Sequence, residues 1–246
     1  MVISSLDNKK VKFINSLKIS RKRKEFGLFL VEGMHLVKEA YLSGFLEEIY
    51  LLENSSLDFS CDIEPTYVTY EVMKKITSLD SPSDVIGICQ MKTDGSIIGN
   101  RLLLLDNIQD PGNLGTIIRS CCAFNVDTLI LSKNTVDIYN EKVIRSTQGM
   151  IFHLNFLISD LEVIITTLKN DGYLIIGTNV NNGIDVRSIS PSKFALIMGN
   201  EGSGVSENIQ KLCDQNLYIK MNELCESLNV GVATSILLYE LGGYNE

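Results

Sequence analysis

The chain has 246 residues, room for one large or two modest domains, and its 45% apolar and 21% charged residues are those of an ordinary globular protein. No apolar run approaches the ~20 residues of a membrane helix, and Met1 to Lys12 lacks the apolar stretch of a signal peptide, so a cytoplasmic location is expected. A net charge of −8 argues against nucleic acid only as an average.

In chain order the first feature is a basic arm. Residues 1–24 carry Lys9, Lys10, Lys12, Lys18, Arg21, Lys22, Arg23 and Lys24 against Asp7 alone, on an otherwise acidic body. Such a concentration of cations is an electrostatic footprint for phosphates, although on charge alone a solvated basic terminus explains it equally well. Lys9 to Lys22 reads as a helix, Leu28 to Val31 as a buried strand and Gly33 to Ser43 as a helix. Strands follow at Glu48–Leu52, Tyr67–Tyr70 and Val85–Gln90, with a helix at Glu71–Ile76. Short apolar runs between amphipathic helices imply a small α/β domain.

Turn formers from Lys92 to Asn100 break the pattern, which divides the chain into a domain of residues 1–92, a linker of 93–101 and a larger domain of 102–246. Leu102 to Leu105 is wholly apolar, as a buried parallel strand should be. Leu114, Ile117, Ile118, Cys121 and Cys122 recur at helical spacing. Further strands are expected at Thr128–Leu131, Tyr173–Gly177, Phe194–Met198 and Leu217–Met221. The helices between them fall at Asn140–Met150, Leu161–Lys169 and Ser206–Cys213, and a last helix runs from about Ser227 to Leu241. The alternation is that of a parallel α/β sheet.

Ligands of such sheets sit beyond the C-terminal strand ends. There the chain places Asp106 to Gly115, then Gly199-Asn200-Glu201-Gly202-Ser203-Gly204, then Asn222 to Asn229. Each has a plain explanation by itself: a turn with Asn113 as helix cap, a flexible glycine connection, and Ser227 as the cap of the last helix. Three such loops on one sheet describe a pocket rich in backbone N–H and C=O groups, suited to an adenosine ligand. There is no phosphate-binding G-x-x-x-x-G-K-[ST], no dinucleotide fingerprint after the first strand and no G-x-S-x-G elbow. Cys61, Cys89, Cys121, Cys122, Cys213 and Cys225 contain no C-x-x-C pair, and His35 and His153 stand alone, so no metal site is indicated and the thiols are read as reduced and structural.

Three blocks resemble, in order and spacing, the SpoU/TrmH-type 2′-O-ribose methyltransferases of the SPOUT class. They are Leu105 to Arg119, Ala195 to Ser206, and Ile219 to Met221 with Ser227 to Ala233; Arg145-Ser146 and Gly149 resemble the family's intervening helix. Residues ~5–90, chiefly Phe29 to Gly33, resemble more weakly the small ribosomal-protein-like (L30e-like) substrate-binding domain. The resemblance implies an α/β fold whose parallel sheet carries a C-terminal trefoil knot, a feature general chain topology would exclude. It implies S-adenosyl-L-methionine as cofactor, held around Thr178, Gly199, Ile219 and Leu228, and a homodimer whose sites are completed by the partner subunit.

It also implies catalytic roles for Asn113, Arg119, Glu201, Ser227 and Asn229. The family casts the arginine as a base, but bringing it from above 12 to neutrality costs about 7 kcal/mol at roughly 1.36 kcal/mol per unit. A charged Arg119 that anchors a phosphate or stabilises the forming alkoxide is the better reading. Glu201 divides between architecture and catalysis. With RNA as partner the basic arm becomes an RNA clamp. The appended first domain favours ribosomal RNA, 23S in kind, over transfer RNA. A rival reading is a non-catalytic RNA-binding or assembly protein that keeps the knot.

Overall fold

A computed structural model describes residues 2–93, 95–179 and 183–242. Asp94, in the expected linker, and residues 243–246, at the end of the expected second domain, lie outside them. The chain forms two compact units, Met1–Thr93 with Asp137–His153, and Asp94–Val136 with Leu154–Glu246.

The first unit runs β1 (Val2–Ile3), α1 (Lys9–Ser16), α2 (Ser20–Phe26), β2 (Leu28–Glu32), α3 (Met34–Leu42), β3 (Leu46–Leu52), β4 (Thr66–Val68), α4 (Tyr70–Ile76) and β5 (Val85–Gln90). Its mixed sheet has the order β1-β4-β3-β5-β2, with β5 antiparallel to both neighbours. Val11, Ile14 and Leu17 pack with Val72, Met73 and Ile76, so α1 lies against α4 over one sheet face. The single helix expected from Lys9 to Lys22 is broken between α1 and α2. The Arg23 guanidinium takes the carbonyls of Leu17 (3.2 Å) and Lys18 (2.9 Å) at the break.

The second unit begins with β6 (Arg101–Leu105), α5 (Pro111–Ala123) and β7 (Thr128–Ser132). The chain then enters the first unit, where it forms α6 (Glu141–Thr147), and returns as β8 (Phe156–Ser159). There follow α7 (Leu161–Asn170), β9 (Leu174–Thr178), β10 (Ile184–Asp185), β11 (Phe194–Met198), α8 (Glu207–Gln210), β12 (Gln215–Tyr218) and α9 (Val230–Leu241). The excursion is held in the first unit by Asp137, which accepts from Arg23 and Ser20, and by the Tyr139 and Phe152 rings beside Phe29, with centroids 4.7 and 6.2 Å away.

All seven strands of the second sheet are parallel, in the order β10-β12-β9-β11-β6-β7-β8. The chain moves outward from β6 through β7 to β8, crosses to the far side, and inserts β11 between β6 and β9. Order reversal beside β6 opens the crevice at the C-terminal strand ends. β12 stops at Tyr218 rather than Met221, and α8 is half its expected length; between the two, Asp214 ties the chain to β9 and α7. Its carboxylate accepts from Ile175 N (2.9 Å) and pairs with Lys169 (2.7 Å).

Candidate active site

At the mouth of the crevice Asp110, not Asn113, caps α5. Its carboxylate accepts the Asn113 amide at 2.8 Å, and Pro111 fills the first helical position, where no N–H is needed. The Asn113 side chain is therefore free to bridge. Its Nδ2 donates to Glu201 Oε1 at 3.0 Å, and its Oδ1 accepts from Asn229 Nδ2 at 2.7 Å. Asn229 in turn caps α9, accepting from Gly231 N (2.9 Å) and Val232 N (3.3 Å). Ser227, the cap expected from sequence, lies before the helix, which starts at Val230.

Glu201 also accepts from Asp110 N (3.0 Å), Gln109 N (3.2 Å) and Asn200 Nδ2 (3.4 Å). Partial burial pushes its carboxyl up, but the Asn113 amide and the backbone donors outweigh that and hold it below its ordinary value. It is a carboxylate at neutral pH, and its lone pairs are committed to four donors.

The loop that presents Glu201 is a built turn, not a flexible connection. Asn200 and Gly204 exchange backbone hydrogen bonds of 3.0 and 2.9 Å, and Asn200 Oδ1 accepts from Gly202 N (2.9 Å) and Ser203 N (3.1 Å). A Cβ at Gly199 would lie 2.1 Å from Gly204 C and Val205 N, so only glycine lets the loop fold back on itself there.

Behind this rim lies a cavity of about 440 Å³, within the ~300–1,000 Å³ of small-molecule sites. Thr178, Gly199, Ile219 and Leu228 all line it, as do Asn113, Glu201, Ser227 and Asn229. Its walls add Met198, Leu217 and Leu237, so an apolar interior meets a polar mouth. The Thr178 hydroxyl is spent on Ile197 O at 3.0 Å. Arg119 is absent from the lining. It is exposed on α5, six residues beyond Asn113, and its side chain makes no ion pair or hydrogen bond among the described residues.

The model of the SpoU rRNA methylase family matches residues 100–239. The chain belongs to that family. A second model, an MRM3-like substrate-binding domain, matches residues 8–87. Among relatives, a 23S rRNA (guanosine(2553)-2′-O)-methyltransferase of Bacillus subtilis is 36% identical over 245 residues, covering 98% of this chain and 99% of its own. An uncharacterised tRNA/rRNA methyltransferase of Mycoplasma pneumoniae is 30% identical, covering 96% and 92%. The S-adenosylmethionine-bound crystal structure of an rRNA methyltransferase from Sinorhizobium meliloti aligns with a TM-score of 0.85 and 27% identity, over 100% of this chain and 98% of that one. This SpoU methylase is an S-adenosylmethionine-dependent RNA 2′-O-ribose methyltransferase.

Three residues of the loops read from sequence as pocket-forming have roles that the sequence did not assign to them singly. Asn200 donates to Asn107 O at 2.8 Å and knits the Glu201 loop, Gln109 supplies an amide to Glu201, and Asp106 accepts Ser206 N at 2.8 Å. The signal that marks them is their place in the polar loops following the apolar strands β6 and β11.

The basic arm is not one surface. Arg23 is only 4% exposed and spends its guanidinium on Leu17 O, Lys18 O and the Asp137 carboxylate (2.5 Å), so its expected RNA contact is corrected to a structural role. Lys18 is half-buried and donates to Lys75 O (3.0 Å) and Thr77 O (2.7 Å). Lys10, Lys12 and Lys22 lie beside Glu48, Asp7 and Glu25. Lys9, Arg21 and Lys24 are exposed and form no ion pair among the described residues.

Proposed function

We propose that this methylase acts on the ribose 2′-oxygen of a nucleotide in large-subunit, 23S-type ribosomal RNA, as a homodimer in the cytoplasm. The observation that carries the reading is the cavity at three parallel strand ends with Glu201, Asn113 and Asn229 tied together across its mouth. The choice of RNA is supported by the full-length match to the 23S enzyme of Bacillus subtilis. No helix among the described residues is long and apolar enough to cross a membrane.

The residues present fit S-adenosylmethionine. Met198, Leu217, Ile219, Leu228 and Leu237 offer an apolar wall for a flat base, and the backbone at Gly199, Ile219 and Leu228 offers the polar edge. When bound, the cofactor supplies an electrophilic methyl group on a sulfonium. The chain must then position the ribose oxygen, steady the adjoining phosphate and disperse the charge that develops. Asn113, Ser227 and Asn229 form the polar rim that orients the ribose. Glu201 holds that rim and is too fully engaged to take the ribose proton. Arg119, charged, meets a phosphate or the forming alkoxide. Because it lies off its own cavity, it serves the partner subunit's site. The trefoil knot belongs to the stretch from β11 to α9, a reading supported by the insertion of β11 between β6 and β9.

The test is methyl transfer from labelled S-adenosylmethionine to undermodified ribosomal and transfer RNA, with the labelled nucleoside identified after digestion. A 2′-O-methylated nucleoside from large-subunit RNA is the expected result. Label in transfer RNA overturns the substrate. Cofactor binding with no transfer to any RNA favours the rival, a binding or assembly protein.

A further inference from the structure

The first unit gathers cations that the basic arm does not contain. Helix α4 ends in Lys74 and Lys75, both exposed and neither in an ion pair among the described residues. α1 packs alongside α4, burying Val11 and Ile14 against Val72, Met73 and Ile76, so the remaining faces of both helices point to solvent. The stretch joining α1 to α2 is pinned to the end of α4 by Lys18, whose ammonium donates to the carbonyls of Lys75 and Thr77. α2 is fixed to α1 by an edge-on contact of Phe26 with Phe13, centroids 5.0 Å apart. Residues 9–26 and 70–76 together carry ten cations and two carboxylates, Glu25 and Glu71, on a chain of net charge −8.

Burial depresses the Lys18 ammonium, while the carboxylate of Glu32, more than the neighbouring Lys75 charge, acts in the opposite direction. Lys18 is therefore a positioning residue at the junction of the three helices, held on the carbonyls of Lys75 and Thr77 at the end of α4.

We infer that α1, α2 and α4 form one phosphate-docking face for the RNA substrate, on which Lys74 and Lys75 act with Lys9, Arg21 and Lys24, while Lys18 and Arg23 position the helices. The inference rests on RNA being the substrate, and deepens it by replacing a linear arm with a three-helix surface. Each cation that meets a phosphate displaces a counterion, so the face has a measurable signature. The slope of log affinity against log salt changes by about 0.7–0.9 per contact. The competing explanation is that Lys74 and Lys75 only complement the carbonyl end of α4, which affects stability and not RNA.

The experiment measures binding of the full chain to a large-subunit RNA fragment and to a transfer RNA across a salt series. The wild type, the double variant Lys74→Gln/Lys75→Gln, and Lys211→Gln, an exposed lysine of the other unit, are compared. The expected result is a slope lowered by about 1.4–1.8 in the double variant, as for two contacts at ~0.7–0.9 each. Melting temperature and S-adenosylmethionine affinity should stay unchanged, and Lys211→Gln should match wild type. An unchanged slope in the double variant, or a lowered melting temperature with unchanged slope, overturns the inference. A lowered slope with methyl transfer only to transfer RNA supports the face and sinks the large-subunit reading alone.

Discussion

Glu201 is the residue whose chemistry the geometry decides. A carboxylate that accepts three hydrogen bonds from the Gln109–Asn113 segment and a fourth from its neighbour Asn200 is a clamp, and replacing it by glutamine turns one acceptor into a donor aimed at donors. Hydrogen bonds to a charged group contribute about 1.5–3 kcal/mol, and solvent at this exposed rim reduces that. Glu201→Gln should therefore weaken S-adenosylmethionine binding roughly 5–30-fold, the equivalent of ~1–2 kcal/mol, as read by calorimetry. A loss confined to kcat would make it a catalytic group instead. Its folded pKa lies below the ordinary 4.5, so the clamp is complete above about pH 4.5 and is lost as pH falls through the lower folded value. Affinity should be flat from pH 6 to 8 and collapse only in acid. The blocks that hold Glu201, Asn113 and Asn229 were legible because polar residues follow apolar strands. Which asparagine caps and which bridges was not legible, because Asp110, Asn113, Ser227 and Asn229 all have the chemistry of a cap and only the third dimension chooses.

At the scale of elements, buried strands such as Leu102–Leu105 and Phe194–Met198 could be read directly, because a strand covered on both faces has a continuous apolar run. Two-residue strands such as β1 and β10 carry no such pattern, and β8, with Ile158 exposed at an edge, was likewise silent. The break between α1 and α2 was hidden too, since Arg23 looks like any other cation of the arm until its partner, Asp137, arrives from 114 residues away. Burial pushes the Asp137 carboxyl up, but the Ser20 hydroxyl, the Arg23 guanidinium and the Tyr139 amide bring it below its ordinary value. Its contribution is therefore present above about pH 3.8 and lost below, as the carboxylate takes a proton. Removing one partner of such a pair strands the other charge, at a cost of about 3–5 kcal/mol. Arg23→Met should lower the melting temperature of the first unit by roughly 10–20 °C, followed by calorimetry at pH 7. Arg23→Met/Asp137→Leu should recover much of that loss, because no charge is left unpaired. Equal losses in the single and double variants would show that Arg23 acts through packing alone.

At the scale of the whole molecule, the role proposed for Arg119 requires a second subunit, because the side chain does not line the cavity of its own. It is a charged, exposed side chain with no ion pair among the described residues, on a helix whose first turn carries Asn113. Around it α5 and α9 pack together, with Ser120 and Ser235 hydroxyls 2.7 Å apart, and α9 exposes Val232 and Tyr239 at 46% and 42%. In a two-fold dimer the same patch serves both subunits, so each Arg119 can complete the opposite site. Arg119→Lys should keep S-adenosylmethionine affinity and lose at least ~10-fold in turnover, since an ammonium cannot make the forked contact. The decisive form is complementation. Arg119→Ala leaves the cavity whole, while Gly199→Val closes it by forcing a Cβ into the Gly204–Val205 backbone. Each homodimer is inactive. In a mixed dimer, the Arg119→Ala subunit contributes an intact cavity and the Gly199→Val subunit contributes the arginine, so one site of the two is whole. Random exchange of equal amounts makes half the dimers mixed, and activity should return to about a quarter of wild type. If the arginine acted within its own subunit, no mixture would contain a complete site, and activity would stay at the level of the separate variants.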